Sequence, residues 1–163
     1  MYYLDCRMLK GSGISTYLMG LIRIYKNKYD SRKNLNYLVK DYTRVISNAP
    51  EYSNQYRFKS NIYSLKEQIF YPSILKSNDV LHVPHYNAPL RFPGKLVITV
   101  HDLCHLVMKE FFKGPAKRFY ANIFLRQVLK KSSVIITPSL FTKTEILKYF
   151  NICLLYTSPS PRD

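Results

Sequence analysis

Apolar positions in this chain follow two alternating rhythms. Tyr2–Cys6, YYLDC, is a short β-prone run. The segment ISTYLMGLIRIYKNK (14–28) sets Ile14, Leu18, Leu21, Ile22 and Tyr25 at the spacing of one helix face. LNYLV (35–39) predicts a second strand, and IYSLKEQIFYPSILK (62–76) predicts a helix stopped or bent at Pro72. DVLHVPHY (79–86) predicts a third strand ending at Pro84. Pro89, Pro93 and Gly94 make APLRFPGK (88–95) a loop. KLVITVHD (95–102) is apolar on both faces, as in a covered parallel sheet. PAKRFYANIFLRQVLKK (115–131) predicts a helix with Pro115 in its first turn. SSVIITPS (132–139) then predicts a strand and LFTKTEILKYF (140–150) a helix. Strands alternating with helices imply βαβ units, so the expected fold is α/β: a Rossmann-like, mostly parallel sheet flanked by helices. No internal repeat interrupts this order.

Composition narrows the class. At 163 residues, 47% of them hydrophobic, the chain suits one domain that buries about 68–70% of its unfolded surface. The longest apolar runs, LVITV and VII, are strand-sized against the roughly 18 residues of a membrane span. Asp5 and Arg7 interrupt the opening segment where a signal peptide needs an apolar stretch, so a cytoplasmic protein is expected. Cys6, Cys104 and Cys153 form no CxxC pair and no disulfide framework. The balance of 25 Lys+Arg against 10 Asp+Glu gives a charge of +15, which favours nucleic acid, anionic headgroups or phosphorylated substrates. An A/T-rich coding bias accounts for the lysines but not for the scarcity of carboxylates.

The last eleven residues, CLLYTSPSPRD, break the pattern. Their composition offers nothing to a core, and they match, residue for residue, a translated transposase-end sequencing adapter. The expected organisation is therefore a domain over 1–152, a non-native disordered tail over 153–163, and a missing C-terminal domain.

In a parallel sheet, ligands bind beyond the carboxyl ends of the strands. Four candidate groups fall there: Gly11-Ser12-Gly13 after the first strand, His85 after the third, His101-Asp102 after KLVITV, and Pro138-Ser139 after SSVIIT. A GSG turn opening a helix is a phosphate-binding pattern, because small residues let an anion approach the backbone at the positive end of the helix dipole. It is also what simple turn geometry requires. All four histidines (His82, His85, His101 and His105) lie in one window, which raises the question of a metal. A strand over 82–85 would send His82 and His85 to opposite faces, and only Asp79 and Asp102 are nearby carboxylates, so no metal is expected. Asp102 can orient an imidazole or cap the next turn. Arg7 can meet a phosphate or pair with Asp5 or Asp102. His105 and Cys104 read as packing residues.

On these segments the chain resembles the N-terminal, acceptor-side domain of a family 4 GT-B retaining glycosyltransferase, of the mannosyltransferase-like branch. DCRML…GSGISTYLMGLI resembles the family's opening strand, glycine loop and first helix. LHVPHYNAPL…GKLVITVHDL resembles its His-x-Pro-His-Tyr and Thr-x-His-Asp-Leu segments, and KKSSVIITPSLFTKTEILKYF its last strand and helix before the interdomain crossover. Ser15 and Thr16 stand where the family often has glycine and arginine, Lys109-Glu110 where it often has Pro-Glu, and Leu140 where it commonly has Glu.

The resemblance implies sugar transfer with retention from a nucleotide-sugar donor, a co-substrate rather than a cofactor, to a glycan or lipid-linked acceptor. It implies His101 as the catalytic histidine and Gly11, Ser12, Gly13 and Arg7 on the donor diphosphate side. His85, Tyr86 and Asp102 would lie on the acceptor side, with no metal. The fragment alone is expected to be inactive, since the nucleotide carboxylates belong to the second domain. The positive surface leaves room for peripheral contact with an anionic membrane at its inner face. Two other readings compete. A dinucleotide-binding oxidoreductase fragment would use Asp41 on a ribose, but Thr16 stands where its fingerprint needs a third glycine. A nucleic-acid module would need a recognition motif or aromatic platform, and the basic residues here scatter over several helices, so no nucleic-acid partner is expected.

Overall fold

The computed structural model describes residues 1–9, 13–28, 35–40, 54–62, 64, 67–68, 74–104 and 115–150. Within them the chain runs β1 (Tyr2–Asp5), α1 (Gly13–Lys28), β2 (Leu35–Val39), β3 (Asn54–Arg57), β4 (Val80–Val83), β5 (Lys95–Thr99), α2 (Pro115–Lys131), β6 (Val134–Ile136) and α3 (Leu140–Tyr149). The strands form one sheet in the order β3-β2-β1-β4-β5-β6. Every neighbouring pair is parallel; Leu4 stands opposite Tyr37 on one side and His82 on the other. This is the doubly wound α/β arrangement that the alternating pattern predicts. The chain reverses direction across the sheet between β1 and β4, which opens a crevice at their carboxyl ends.

Alternation along the strands divides the core into two layers. Leu4, Leu35, Tyr37 and Val39 face α1, whose Leu18 and Ile22 are fully buried against them. Tyr3, Leu38, Leu81, Val83, Leu96, Ile98 and Ile135 face the other way, onto Leu125, Val128 and Leu129 of α2 and Ile146 of α3. Each such aliphatic side chain contributes about 1.5–3 kcal/mol by leaving water. All of β2 is buried, as a central strand covered on both faces must be.

Two connections fix the edge that matters. Gly94 permits the β4–β5 turn: a Cβ there would stand 2.4 Å from the Asp79 carbonyl oxygen and 2.6 Å from the Phe92 ring. At the other end of β5, Val100 N–H donates to the Ile136 carbonyl at 2.9 Å. The Thr142 hydroxyl of α3 donates to the His101 carbonyl at 2.9 Å. Ser139 caps α3, its hydroxyl accepting from Thr142 N–H at 3.1 Å.

The structure differs from the sequence reading in three places. β3, NQYR, has no apolar alternation; it is an edge strand, exposed at both ends, added by pairing to β2. β4 stops at Val83, so His85 stands beyond the strand, and the argument that sets it opposite His82 on one strand does not apply. Of the helix expected over 62–76, only Glu67–Gln68 is described as helical; Pro72 lies outside the described residues. Gly11, Ser12, Asp41, His105, Lys109-Glu110 and the tail 153–163 also lie outside them.

Candidate functional site

Around β1, β4 and β5 the structure assembles two polar clusters, one on each face of the sheet. The first lies under α1. Polar side chains inside buried strands need internal partners, and Thr99 and His82 supply them to each other: His82 Nε2 and Thr99 Oγ1 are 2.9 Å apart. Tyr17 of α1 reaches the same Thr99 hydroxyl at 3.0 Å, and Tyr2 of β1 bonds His82 Nδ1 at 2.7 Å. Both ring nitrogens of His82 are thus engaged within the protein. Burial lowers its pKa to about 4, against the opposing charge of Asp5, so it is neutral at pH 7.

His101 stands two residues past β5, half-buried, its ring packed edge-to-face with that of Tyr17 (centroids 5.0 Å apart, planes at 84°). Its Nε2 lies 3.0 Å from the Pro84 carbonyl oxygen. A carbonyl only accepts, so Nε2 carries the proton. Burial lowers the His101 pKa, outweighing the Pro84 bond and the Asp102 charge, so the ring is neutral at pH 7 and Nδ1 holds a lone pair. No described residue takes a hydrogen bond at that nitrogen. Asp102 is exposed, and its carboxylate accepts from Cys104 N–H at 3.1 Å, capping the turn. Gly13 opens α1 with nothing within 4 Å of where a Cβ would stand, and the first turn of α1 has no acidic residue. Among the described residues, no acidic side chain of the first turn compensates the positive end of this helix.

The second cluster, on the opposite face, is ionic. Arg7 follows β1 and is buried, its Nε donating to Asp5 Oδ1 at 2.9 Å and its Nη1 to the Ser60 carbonyl at 3.2 Å. Its Nη2 bridges Asp5 and Glu67, and the guanidinium lies 4.1 Å from the centroid of the Phe58 ring. Of the roles open to Arg7 in the sequence, the pair with Asp5 is formed. Burial pushes the Asp5 carboxyl up, but the charge and hydrogen bonds of Arg7 outweigh it and hold the group below its ordinary value. Asn87 closes the cluster: its side-chain amide donates to Glu67 and its backbone N–H donates to His85 Nδ1 at 3.0 Å. His85 is fully buried and neutral, its pKa lowered to about 4 mainly by burial. Tyr86 packs, half-buried, against the larger core layer.

The structure thus brings Gly13, His101 and Asp102 to one edge with the unforeseen Tyr17, Thr99 and His82. It joins Arg7 and His85 to the unforeseen Glu67 and Asn87. A polar residue within an aliphatic strand is the signal that could have marked Thr99 and His82; nothing in KEQIF marks Glu67 as an internal acid. Among the described residues, no three His, Cys, Asp or Glu side chains gather as a metal site. Cys6 is buried, which pushes its thiol up and leaves it a small apolar group. No described helix is long and apolar enough to cross a membrane.

The arrangement offers fixed dipoles, a neutral imidazole and a helix N-terminus with no acidic residue in its first turn. The family model Glycosyltransferase Family 4 matches residues 24–154. The match begins within α1, so β1 and the glycine loop precede it, while the β4, β5 and β6–α3 segments lie inside. It ends two residues into the segment 153–163. No curated protein and no solved structure matches the chain. With a family match over well more than half its length, on a doubly wound parallel sheet whose strand-end histidines fall inside that match, the chain belongs to glycosyltransferase family 4.

Proposed function

We propose that this domain is the acceptor-side half of an enzyme that moves a sugar, with retention, from a nucleotide-sugar to a glycan or lipid-linked acceptor. A second α/β domain holds the nucleotide. The observation that carries the reading is His101: a neutral imidazole beyond β5, its Nε2–H committed to Pro84, its Nδ1 left as an acceptor. That nitrogen accepts from a hydroxyl of the donor sugar and fixes the ring that departs from the diphosphate. The loop Gly11-Ser12-Gly13 and the N-terminus of α1 serve the diphosphate, where backbone N–H groups and the helix dipole stabilise the negative charge that develops on it. Arg7, held by two carboxylates, serves this side by anchoring the end of β1 rather than by reaching out to phosphate. His85 and Tyr86 border the acceptor, with Asp102 at the rim. None of these roles requires a metal ion.

Helices α1 and α2 carry basic residues and no carboxylate, which suits a peripheral place on an anionic membrane where lipid-linked acceptors reside. The strand order is shared with dinucleotide enzymes. Thr16, at the position of the third fingerprint glycine, weighs against that alternative.

The test is transfer from UDP- and GDP-sugars by the protein carrying the following domain, with the product's anomeric configuration read by NMR. Retention is expected; inversion, or no transfer from any nucleotide-sugar, overturns the reading. This chain alone should bind nucleotide-sugars only weakly. Micromolar affinity by calorimetry would place the nucleotide here instead.

A further inference from the structure

The described hydroxyls under α1 form a continuous chain that leaves the helix and returns to it. From Tyr17 it passes to Thr99 on β5 (3.0 Å), to His82 on β4 (2.9 Å), to Tyr2 on β1 (2.7 Å), and back to Tyr25 of α1 (3.0 Å). Tyr17 and Tyr25 lie about two helical turns apart, so the helix is tied to three strands at two points along one face. A hydroxyl both donates and accepts, and a neutral imidazole does each at one nitrogen. Donation in either direction therefore satisfies every link, and each bond polarises the next. The Tyr17 end of this chain lies beside His101, one ring edge-on to the other.

We propose that Tyr17 is a positioning residue for His101: its ring, packed at right angles to the imidazole, holds it in the orientation that bonds Pro84, and the hydroxyl–imidazole chain holds Tyr17. The significance for sugar transfer rests on the reading of His101 given above; the positioning itself does not. One device thereby sets both the N-terminal end of α1 and the histidine against the same strands, so the diphosphate side and the sugar side keep a fixed separation. Such control suits a reaction whose rate depends on sub-ångström placement.

The experiment is side-chain ¹⁵N NMR of the histidines in this chain, across pH, for the parent sequence, Tyr17→Leu, Tyr17→Phe and Thr99→Val. The groups facing His101 are Asp102 beside it, Tyr17 from α1, the Pro84 carbonyl, His82 and His85 from the β4 side, and the Thr142 hydroxyl on its backbone oxygen. The parent should show His101 as the Nε2–H tautomer, titrating below the ordinary histidine range. Tyr17→Leu removes the ring and its shielding from water, so the tautomers should mix and the titration should move up toward the ordinary value. Tyr17→Phe and Thr99→Val keep the ring and cut its tether, so both should show the same change to a smaller degree. They also keep the test available should Tyr17→Leu fail to fold. Unchanged Ile135 amide signals on β6 confirm an intact sheet. If His101 is unmoved in all three variants, the positioning role is overturned, whatever a transfer assay reads. If Tyr17→Phe equals Tyr17→Leu, the ring contact is overturned. Failure of transfer in the longer protein, with these NMR changes present, counts against the glycosyl reading alone.

Discussion

The two polar clusters on opposite faces of the sheet solve one problem with opposite chemistry. Under α1, Tyr2, Tyr17, Thr99 and His82 are joined by neutral hydrogen bonds, and no charge is buried. Across the sheet, Arg7 sits between Asp5 and Glu67, each side chain at most 1% exposed. A neutral link contributes about 0.5–1.5 kcal/mol net, and its loss leaves a buried polar atom that costs about 1–3 kcal/mol, less than a stranded charge. A buried ion cluster is marginal in net worth, yet breaking it strands a charge. The ionic side should therefore be brittle and the neutral side adjustable. That is the appropriate division if the loops carrying His85 need a rigid base while His101 answers to a substrate.

The largest expected effect tests that brittleness. Arg7→Met leaves Asp5 and Glu67 facing each other without a counter-charge, and should cost about 3–5 kcal/mol of folding stability in urea titration. A loss under 1 kcal/mol would show that water reaches the cluster and that the two sides do not differ as described. His101→Ala should do the reverse in the longer enzyme. The fold should survive, because a half-buried side chain past the strand adds little to the core. Turnover should fall about 10²–10³-fold, or about 2.7–4 kcal/mol, with kcat affected more than KM. Near-normal turnover, or loss only through unfolding, would make His101 structural.

Acid should separate the buried histidines from the Arg7–Asp5 pair by window. His82 and His85 have folded pKa values of about 4 against an ordinary 6.5. Between those values the unfolded chain takes up protons that the folded chain refuses, so stability falls as pH drops from about 6.5 toward 4, on the order of 3 kcal/mol per histidine at the limit. The Asp5 carboxyl is shifted below its ordinary 3.8, so its contribution persists above that value and is lost only as pH falls through the lower, folded pKa. Chemical denaturation at pH 7.5 and 5 should show the histidine loss alone, and His82→Gln with His85→Gln should flatten it. A profile flat to pH 4.5 in the parent would mean that neither ring is buried in solution.

How much of this was readable from residues alone follows the same division between local and long-range physics. The bounds of β2 and α2 coincide with LNYLV and PAKRFYANIFLRQVLKK, because periodicity and Pro115 act locally. His101 and the opening of α1 at Gly13 were placed at the carboxyl edge by topology, which follows from strand–helix alternation. β3 was not legible, since NQYR gains its strand from pairing with β2 rather than from its own pattern. Glu67 and Asn87 were not legible either. Their partners are Arg7, sixty positions before Glu67, and each other, twenty apart, and no spacing rule links them. The tethering role of Thr99 was not legible either, because LVITV reads as an apolar run and the partners of its hydroxyl, Tyr17 and His82, come from other elements.

The smallest effect sharpens the contrast by removing a charge at the solvent rim. Asp102 is exposed, and its carboxylate caps Cys104 N–H at 3.1 Å. Asn at this position can still accept that bond, so Asp102→Asn should change stability by less than about 0.5 kcal/mol, as surface substitutions do. The carboxylate nonetheless raises the His101 pKa, against the larger lowering by burial. Its loss should therefore move the His101 titration further down, leaving more of the ring neutral in mild acid. The mutation that unfolds nothing would then extend activity slightly toward acid pH, if neutral His101 is the active form. An upward or absent shift in the His101 titration would show that Asp102 is screened by water, and that burial and Pro84 alone set the state of this histidine.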